Sequence, residues 1–144
     1  MAAPDPERLA VWRLLLTTHS LLKRTLTAAL DEERGLPLPW FEALNALQLA
    51  GGRVRVMDLA EHLVVSPSSL SRQLGRMEEE GYVRRERGLD DQRAVVAVLT
   101  RDGRDNWRRA NTTYMRVAKK LFINRLSDSD VGAIQRALSK VNDA

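Results

Sequence analysis

Residues 66–77 read SPSSLSRQLGRM, and this stretch decides the fold. Ser66 is a typical helix N-cap and Pro67 suits the first helical position, so the pattern predicts a helix that begins here and continues to Glu80. Its apolar residues recur at helical spacing and predict one buried face, formed by Leu70, Leu74 and Met77. A shorter helical pattern over residues 57–64 comes directly before it. Two short helices joined by a tight turn indicate a helix-turn-helix.

A strand-loop-strand pattern follows the second helix. Residues 82–86 and 94–99 are strand-like, and the polar loop 87–93 joins them, which predicts a β-hairpin with a long tip. Residues 53–56 alternate polar and apolar side chains and predict one more short strand. A helix-turn-helix followed by such a hairpin is a winged helix-turn-helix. In that architecture the second helix enters the major groove of DNA, and an arginine on the hairpin can enter a narrow minor groove.

Long helical segments flank this middle section. Residues 6–31 form one predicted helix whose leucines cover more than one face, so we expect this helix to lie between partners. Thr100 is a candidate cap for the helix after the hairpin, and Ser127 with Asp130 resembles a capping box that opens the last helix. We therefore expect a single domain over residues 1–144 that is mainly α with a small β-hairpin (α+β).

Four more motifs complete the pattern: Leu59-Ala60 with Leu63, GYVRR at 81–85, DQR at 91–93 and VLTRDG at 98–103. Together with residues 66–77 they resemble the MarR family of winged helix-turn-helix transcription regulators, over nearly the whole chain. The resemblance implies a triangular homodimer on double-stranded DNA, with dimerisation helices at about 6–31 and 101–142 and a DNA-binding lobe at about 39–99. The chain departs from the family at residues 87–89, where the family often carries a proline or more charge.

The predicted DNA contacts lie on the second helix and on the hairpin loop. The unpaired N–H groups at the start of the helix add partial positive charge, whereas glutamates 78–80 at its end would repel phosphate, so the helix must enter with its N-terminal end leading. The resemblance assigns Arg72 to the major groove and Arg93 to the minor groove, and it gives Arg85 and Asp91 a role in supporting the wing. The predicted contacts are Ser66, Ser68, Ser69, Ser71, Arg72, Gln73, Arg76, Arg87 and Arg93.

Together with the resemblance, these residues predict a sequence-specific repressor on a pseudo-palindromic operator, and the resemblance implies that it acts as a homodimer and responds to a ligand. An alternative is a winged-helix module that binds a protein partner, because six arginines and six carboxylates between Ser66 and Arg93 give that segment no net charge. For Arg76 the alternative to a DNA contact is an ion pair with Glu80, which lies four residues further along the helix. Nothing in the pattern predicts an enzyme, because there is no glycine-rich phosphate loop and no paired nucleophile and base.

A small-molecule site is predicted on the long helices. Trp12 and His19 are seven residues apart and share a helix face, and Arg13 is adjacent. The family resemblance suggests an effector cleft that accepts a small aromatic or phenolic acid, for which arginine would pair with the carboxylate and tryptophan would form an apolar wall. Trp40 and Trp107 are further candidates for its lining. The alternative is that Trp12 and His19 simply pack in the core of the dimer while Arg13 is solvated, and that Trp40 and Trp107 are core residues.

Composition excludes several other classes of protein. The chain has no cysteine, which removes disulfides and thiolate metal sites, and its two histidines have no metal-ligand spacing, so we expect no metal and no cofactor. No apolar run is long enough to span a bilayer, and the acidic start does not resemble a signal peptide, so we expect a cytoplasmic protein with no membrane contact. A formal net charge of +4 permits a polyanionic partner.

Overall fold

The computed structural model describes residues 2–143 of the chain. The predicted mainly helical class with a β-hairpin is confirmed, and the helix-turn-helix and the wing occupy the predicted stretches. In chain order the elements are α1 (Pro6–Arg34), α2 (Leu38–Leu49), β1 (Arg53–Arg55), α3 (Val56–Leu63), α4 (Pro67–Glu79), β2 (Val83–Arg87), β3 (Val95–Leu99), α5 (Arg101–Leu121), a 3-10 turn (Ile123–Arg125) and α6 (Asp128–Asn142).

The three strands form one antiparallel sheet in the order β1-β3-β2. β1 pairs with β3 so that Arg53 lies opposite Val98, and β2 pairs with β3 from Val83 opposite Leu99 to Arg87 opposite Val95. β2 and β3 are the predicted hairpin, and the predicted short strand becomes the edge strand β1. The seven residues 88–94 lie beyond the last pair of this hairpin and form its loop.

The chain divides into two compact units, one made of residues 2–26 and 114–143 and the other of residues 27–113. The second unit contains the helix-turn-helix, the sheet and most of the buried apolar side chains. The expectation of one domain over residues 1–144 stays a prediction, because compactness does not measure whether the units unfold together. The largest fully buried apolar side chains, all in the second unit, are Phe41, Leu30, Leu44, Leu47, Leu59, Leu70, Leu74, Met77 and Val83.

Local caps begin the helices where the sequence predicts them. The Ser66 hydroxyl accepts the N–H of Ser69 at 3.2 Å at the start of α4, and the Thr100 hydroxyl accepts the N–H of Gly103 at 3.0 Å at the start of α5. Ser127 and Asp130 form the predicted capping box of α6. The hydrogen bonds from Ser127 lower the pKa of the Asp130 carboxyl below its ordinary value. These side chains satisfy backbone N–H groups that a helix end leaves without partners.

The first unit carries many exposed apolar side chains. On α1, Val11 and Leu14 are 67% and 65% exposed, and Leu21 is exposed about two turns after Leu14 on the same face. On α6, Val141 is 68% exposed, and Val131 is exposed near the start of the helix. An apolar surface of this kind on long helices is typical of a surface that binds another protein chain.

The turn between α3 and α4 contains a strained residue. Val64 ends α3 with φ 56° and ψ 49°, in the left-handed region, and its side chain is 88% exposed. Within residues 2–143 it is the only non-glycine residue with positive φ. A β-branched side chain is unfavourable in this conformation, which glycine adopts freely.

We expect Val64→Gly to raise the free energy of unfolding by about 1 kcal/mol, because relief of the left-handed strain exceeds the entropy that glycine adds to the unfolded chain. Chemical denaturation followed by circular dichroism measures this change. Val65→Gly is the matched control, since the neighbouring residue has no positive φ and the same substitution there should lower stability. Equal losses at the two positions would contradict the strain argument.

Candidate nucleic-acid interface

Helix α4 separates its residues into a buried stripe and an exposed polar face. Leu70, Leu74 and Met77 are buried, because they recur at steps of three and four and face the rest of the second unit. The opposite face of the N-terminal half carries small hydroxyl groups and one guanidinium. Its exposed residues, all predicted contacts, are Ser66, Ser68, Ser69, Ser71 and Arg72. The helix therefore presents hydrogen-bonding groups at the end where its own N–H groups are positive.

Two other predicted contacts on α4 have different surroundings. Gln73 is half-buried, and its side-chain amide nitrogen donates to the carbonyl oxygen of Pro39 at 3.1 Å. This bond holds α4 against the start of α2, so Gln73 has a positioning role besides any contact with DNA. Arg76 is exposed near the C-terminal end of the helix.

A hydrogen-bonded clamp joins α4 to the hairpin. The backbone N–H of Arg85 donates to the Glu78 carboxylate at 2.9 Å, and its guanidinium pairs with the same carboxylate at 3.2 Å. The guanidinium also donates to the carbonyl and hydroxyl oxygens of Ser71, each at 3.4 Å. The Glu78 carboxylate on α4 thus pairs with a guanidinium on strand β2. We call Arg85, Glu78 and Ser71 the clamp, and its contacts connect the exposed face of α4 to strand β2.

The wing loop makes its own hydrogen bonds. The backbone N–H of Gly88 donates to the carbonyl oxygen of Ala94 at 2.8 Å, and the backbone N–H of Ala94 donates to the carbonyl oxygen of Asp91 at 3.0 Å. The Asp91 carboxylate accepts the backbone N–H of Arg93 at 2.9 Å. The guanidinium of Arg87 donates to the carbonyl of Gln92 at 3.2 Å. Asp91 and Arg87 therefore shape the loop, and the Arg93 side chain is exposed on it.

Three arginines that are not among the predicted contacts lie on the outer face of the sheet. Arg53 and Arg84 lie on either side of Val98, and Arg55 lies opposite Val96. Arg53 pairs with Glu86 at 2.9 Å, and Arg84 pairs with the same carboxylate at 3.5 Å. The hydrogen bond from Arg53, with help from Arg84, lowers the pKa of the Glu86 carboxyl below its ordinary value.

The period-two pattern of residues 53–55, which predicts a strand, also indicates this surface, because it places Arg53 and Arg55 on one face of that strand. Val96 and Val98 on the outer face are 8% and 7% exposed, and the stems of the long charged side chains opposite them can account for this burial, because such stems lie over apolar neighbours. The outer face therefore carries arginines beside the wing loop and adds positive charge to the hairpin.

Comparison with known proteins identifies the fold and the family. The sequence profile of the MarR family matches residues 34–94, which include the helix-turn-helix and most of the wing. An HTH-type transcriptional repressor of Mycobacterium tuberculosis is 30% identical over 128 residues, covering 89% of this chain and 90% of that protein. The chain belongs to the MarR family of transcription regulators.

Solved structures of MarR family members agree with the fold over almost the whole chain. AbsC of Streptomyces coelicolor has a TM-score of 0.91 and 30% sequence identity, covering 99% of this chain and 97% of AbsC. Sco3205 of the same organism, solved in complex with DNA, also has a TM-score of 0.91, with 26% identity over 99% of this chain and 90% of that protein. The wing and the helix-turn-helix are thus those of a MarR family transcription regulator.

The residues predicted to bind an effector lie in both units. Trp12, Arg13 and His19 are exposed on the part of α1 that belongs to the first unit. Trp40 belongs to the second unit, where it is half-buried and packs edge-on against Tyr82 with ring centroids 6.2 Å apart. An effector role for these MarR family residues stays a prediction.

Trp107, the further candidate, is half-buried in the second unit, and its indole N–H donates to the Asn45 side chain at 3.0 Å. Among residues 2–143, no group of His, Asp or Glu side chains is arranged to hold a metal ion. None of the helices described for this MarR family member has the length and apolarity that a bilayer span requires.

Proposed function

We propose that the chain binds double-stranded DNA in a sequence-specific manner, with α4 in the major groove and the wing in the minor groove. The observation that carries this proposal is the clamp, which ties the wing to the same helix that exposes Ser68, Ser69 and Arg72. A wing fixed to the reading helix can present Arg93 at the same time as α4 presents Arg72. The related regulator Sco3205, solved in complex with DNA, supports the same use of the fold.

The active form that we propose is a homodimer. The exposed apolar residues on α1 and α6 of the first unit support it, because such a surface is unfavourable in water and a second copy presents the same surface. A two-fold dimer places two copies of α4 in successive major grooves roughly 34 Å apart, and its operator is therefore a pseudo-palindrome. The proposed output is repression, in agreement with the M. tuberculosis repressor to which the chain is similar.

The proposal includes a ligand that releases the operator. Trp12, Arg13 and His19 are exposed together on one stretch of α1, and they offer an apolar wall, a cation and a hydrogen-bonding ring to a small aromatic or phenolic acid. Such a ligand weakens DNA binding only if it has a higher affinity for a state of the dimer in which the two copies of α4 are positioned differently from the DNA-bound state. A regulator of the chromosome acts in the cytoplasm, where we place this chain.

The experiment that tests the proposal is selection of duplexes from a random pool by the full-length protein, followed by titration of the enriched duplex at several salt concentrations. We expect an inverted repeat with half-sites about one helical turn apart, and an affinity that falls steeply with salt. No enrichment would contradict the proposal and favour the alternative of a winged-helix module that binds a protein. The absence of net charge between residues 66 and 93 is the observation that keeps this alternative open.

We expect Arg93→Ala and Arg72→Ala to lower DNA affinity in different ways. Arg93→Ala should weaken cognate and scrambled duplexes by similar factors of roughly tenfold, whereas Arg72→Ala should weaken the cognate duplex more, because a bidentate base contact distinguishes sequences by about 1–3 kcal/mol. Both side chains are exposed, so neither change should affect folding. Identical losses on both duplexes for the two variants would contradict these separate roles.

A further inference from the structure

The wing tip, residues 88–94, is a preorganised loop whose polar groups bond to one another. Four hydrogen bonds within the hairpin hold its backbone, and none of these four involves Leu89, whose side chain is exposed. Gly88 is required for this shape, since a Cβ there would lie 2.7 Å from the carbonyl oxygen of Asp91. The loop is therefore built to one conformation before any partner binds.

Leu89 has the most exposed large apolar side chain among the described residues, at 92% exposure. The charged groups that flank Leu89 do not give the tip a net positive charge. The guanidinium of Arg87 is turned back to the carbonyl of Gln92, and the charges of Arg87 and Arg93 balance those of Asp90 and Asp91. The apex thus offers a partner one exposed apolar side chain on a loop with no net charge.

We propose that Leu89 enters the minor groove of the operator as an apolar wedge against the bases. This inference rests on the proposed function, and it goes beyond it by assigning the leading contact of the wing to a leucine, with Arg93 behind it. Leucine is among the side chains that proteins insert at base steps from the minor groove, where they partly unstack the step and bend the duplex. The preorganised loop favours this use, because little entropy is lost when the tip binds.

The size of the tip favours a groove over a protein surface. Only the seven residues 88–94 project beyond the last strand pair, Arg87 opposite Val95. A stable protein interface needs about 800 Å² on each partner, far more than one loop apex can bury. A minor groove about 6 Å wide encloses such an apex from both sides. A pocket of about 210 Å³ that Leu89 lines together with Arg53 and Arg55 also places the tip beside the arginines of the sheet.

The test compares Leu89→Ala with the wild-type protein on the duplex enriched by selection. We expect the affinity of Leu89→Ala to fall roughly tenfold, the value for loss of most of a buried leucine side chain, with an unchanged slope of affinity against salt, because no phosphate contact is lost. The bend of the duplex, measured by energy transfer between dyes at its ends, should decrease. Leu89→Met should restore both, because methionine keeps the apolar volume.

The matched control is Leu49→Ala, which removes the same side chain from another exposed position of the second unit, 77% exposed at the end of α2. It should bind DNA like the wild type, and all three variants should melt at the wild-type temperature.

Three results would overturn the inference. One is wild-type affinity for Leu89→Ala. Another is a loss of affinity accompanied by a shallower salt dependence, which would assign the contact to phosphate. The third is a change in oligomeric mass on substitution with DNA affinity intact, which would assign Leu89 to a protein contact. A wild-type protein that enriches no duplex would overturn the proposed function itself, and that outcome is visible before any variant is compared.

Discussion

Replacing Gly103 with alanine is expected to lower the free energy of unfolding by about 3 kcal/mol. Gly103 lies buried in the first turn of α5, where the helix packs directly on the backbone that leads into β2. A Cβ at this position would overlap the carbonyl oxygen of Tyr82 and would lie 2.9 Å from the Leu99 side chain. Because the obstacle is backbone, no side-chain rotation relieves it, and the helix must move away from the sheet.

The same contact explains why the loss should be large. Tyr82 also accepts the N–H of Thr100 at 3.2 Å, and the Thr100 hydroxyl donates to the carbonyl of Gly81 at 2.6 Å. A shift of α5 would disturb this group of bonds together with the cap on Gly103. Chemical denaturation of the variant and the wild type measures the change.

Gly75→Ala provides the matched control, since Gly75 is also a helical glycine of the second unit. A Cβ at Gly75 would lie 3.5 Å from the guanidinium of Arg85, an ordinary contact distance. Alanine is the better helix former by about 1 kcal/mol, so this variant should be as stable as the wild type or somewhat more stable. Equal stability of the two variants would show that α5 moves away from β2 at no cost.

Two charged substitutions on α1 are expected to have the largest effect on DNA binding. Val11→Glu combined with Leu14→Glu places two carboxylates per copy on the exposed apolar face of the first unit. On the proposed dimer they would be buried without partners, which is strongly unfavourable. The double variant should therefore be a monomer in light scattering and should bind the operator about a hundredfold more weakly or worse, because the linkage between two half-sites is lost.

Ser20→Glu combined with Lys23→Gln gives the control for the change in charge, which is again two units per copy. Both residues are exposed and polar on the same helix and lie at least about 100° around it from Val11, Leu14 and Leu21, so the apolar face is preserved. This variant should remain a dimer with nearly wild-type DNA affinity. A double variant at Val11 and Leu14 that stays dimeric would place the dimer interface elsewhere on the chain.

Local features of the fold were predictable because the residues that interact to form them are close to one another in sequence. Ser66 and Thr100 cap helices through the N–H three residues on, and the same spacing gives the capping box at Ser127 and Asp130. The buried stripe of α4 follows from helical periodicity. The serines and Arg72 on the opposite face were therefore predictable as an exposed surface.

The contacts that bring the candidate site together were not predictable in this way. The clamp joins Arg85 to Glu78 and to Ser71, 14 residues earlier, and it depends on the packing of α4 on the hairpin. The bond from Gln73 to Pro39 spans 34 residues, and no periodicity signals it. The pairing of Arg53 with Glu86 requires the strand register, which residues 53–55 alone do not specify.

The self-contained bonding of the wing tip has a consequence for how such regulators diversify. The side chains at positions 89 and 90 take no part in the hydrogen bonds that hold the loop, whereas Gly88 and Asp91 do. Mutations at those two apex positions therefore leave the scaffold intact, and selection can act on them for their contacts alone. A descendant of this gene could acquire a new preference for regulatory sites by exchanging two codons, with its fold and its partner surfaces inherited unchanged.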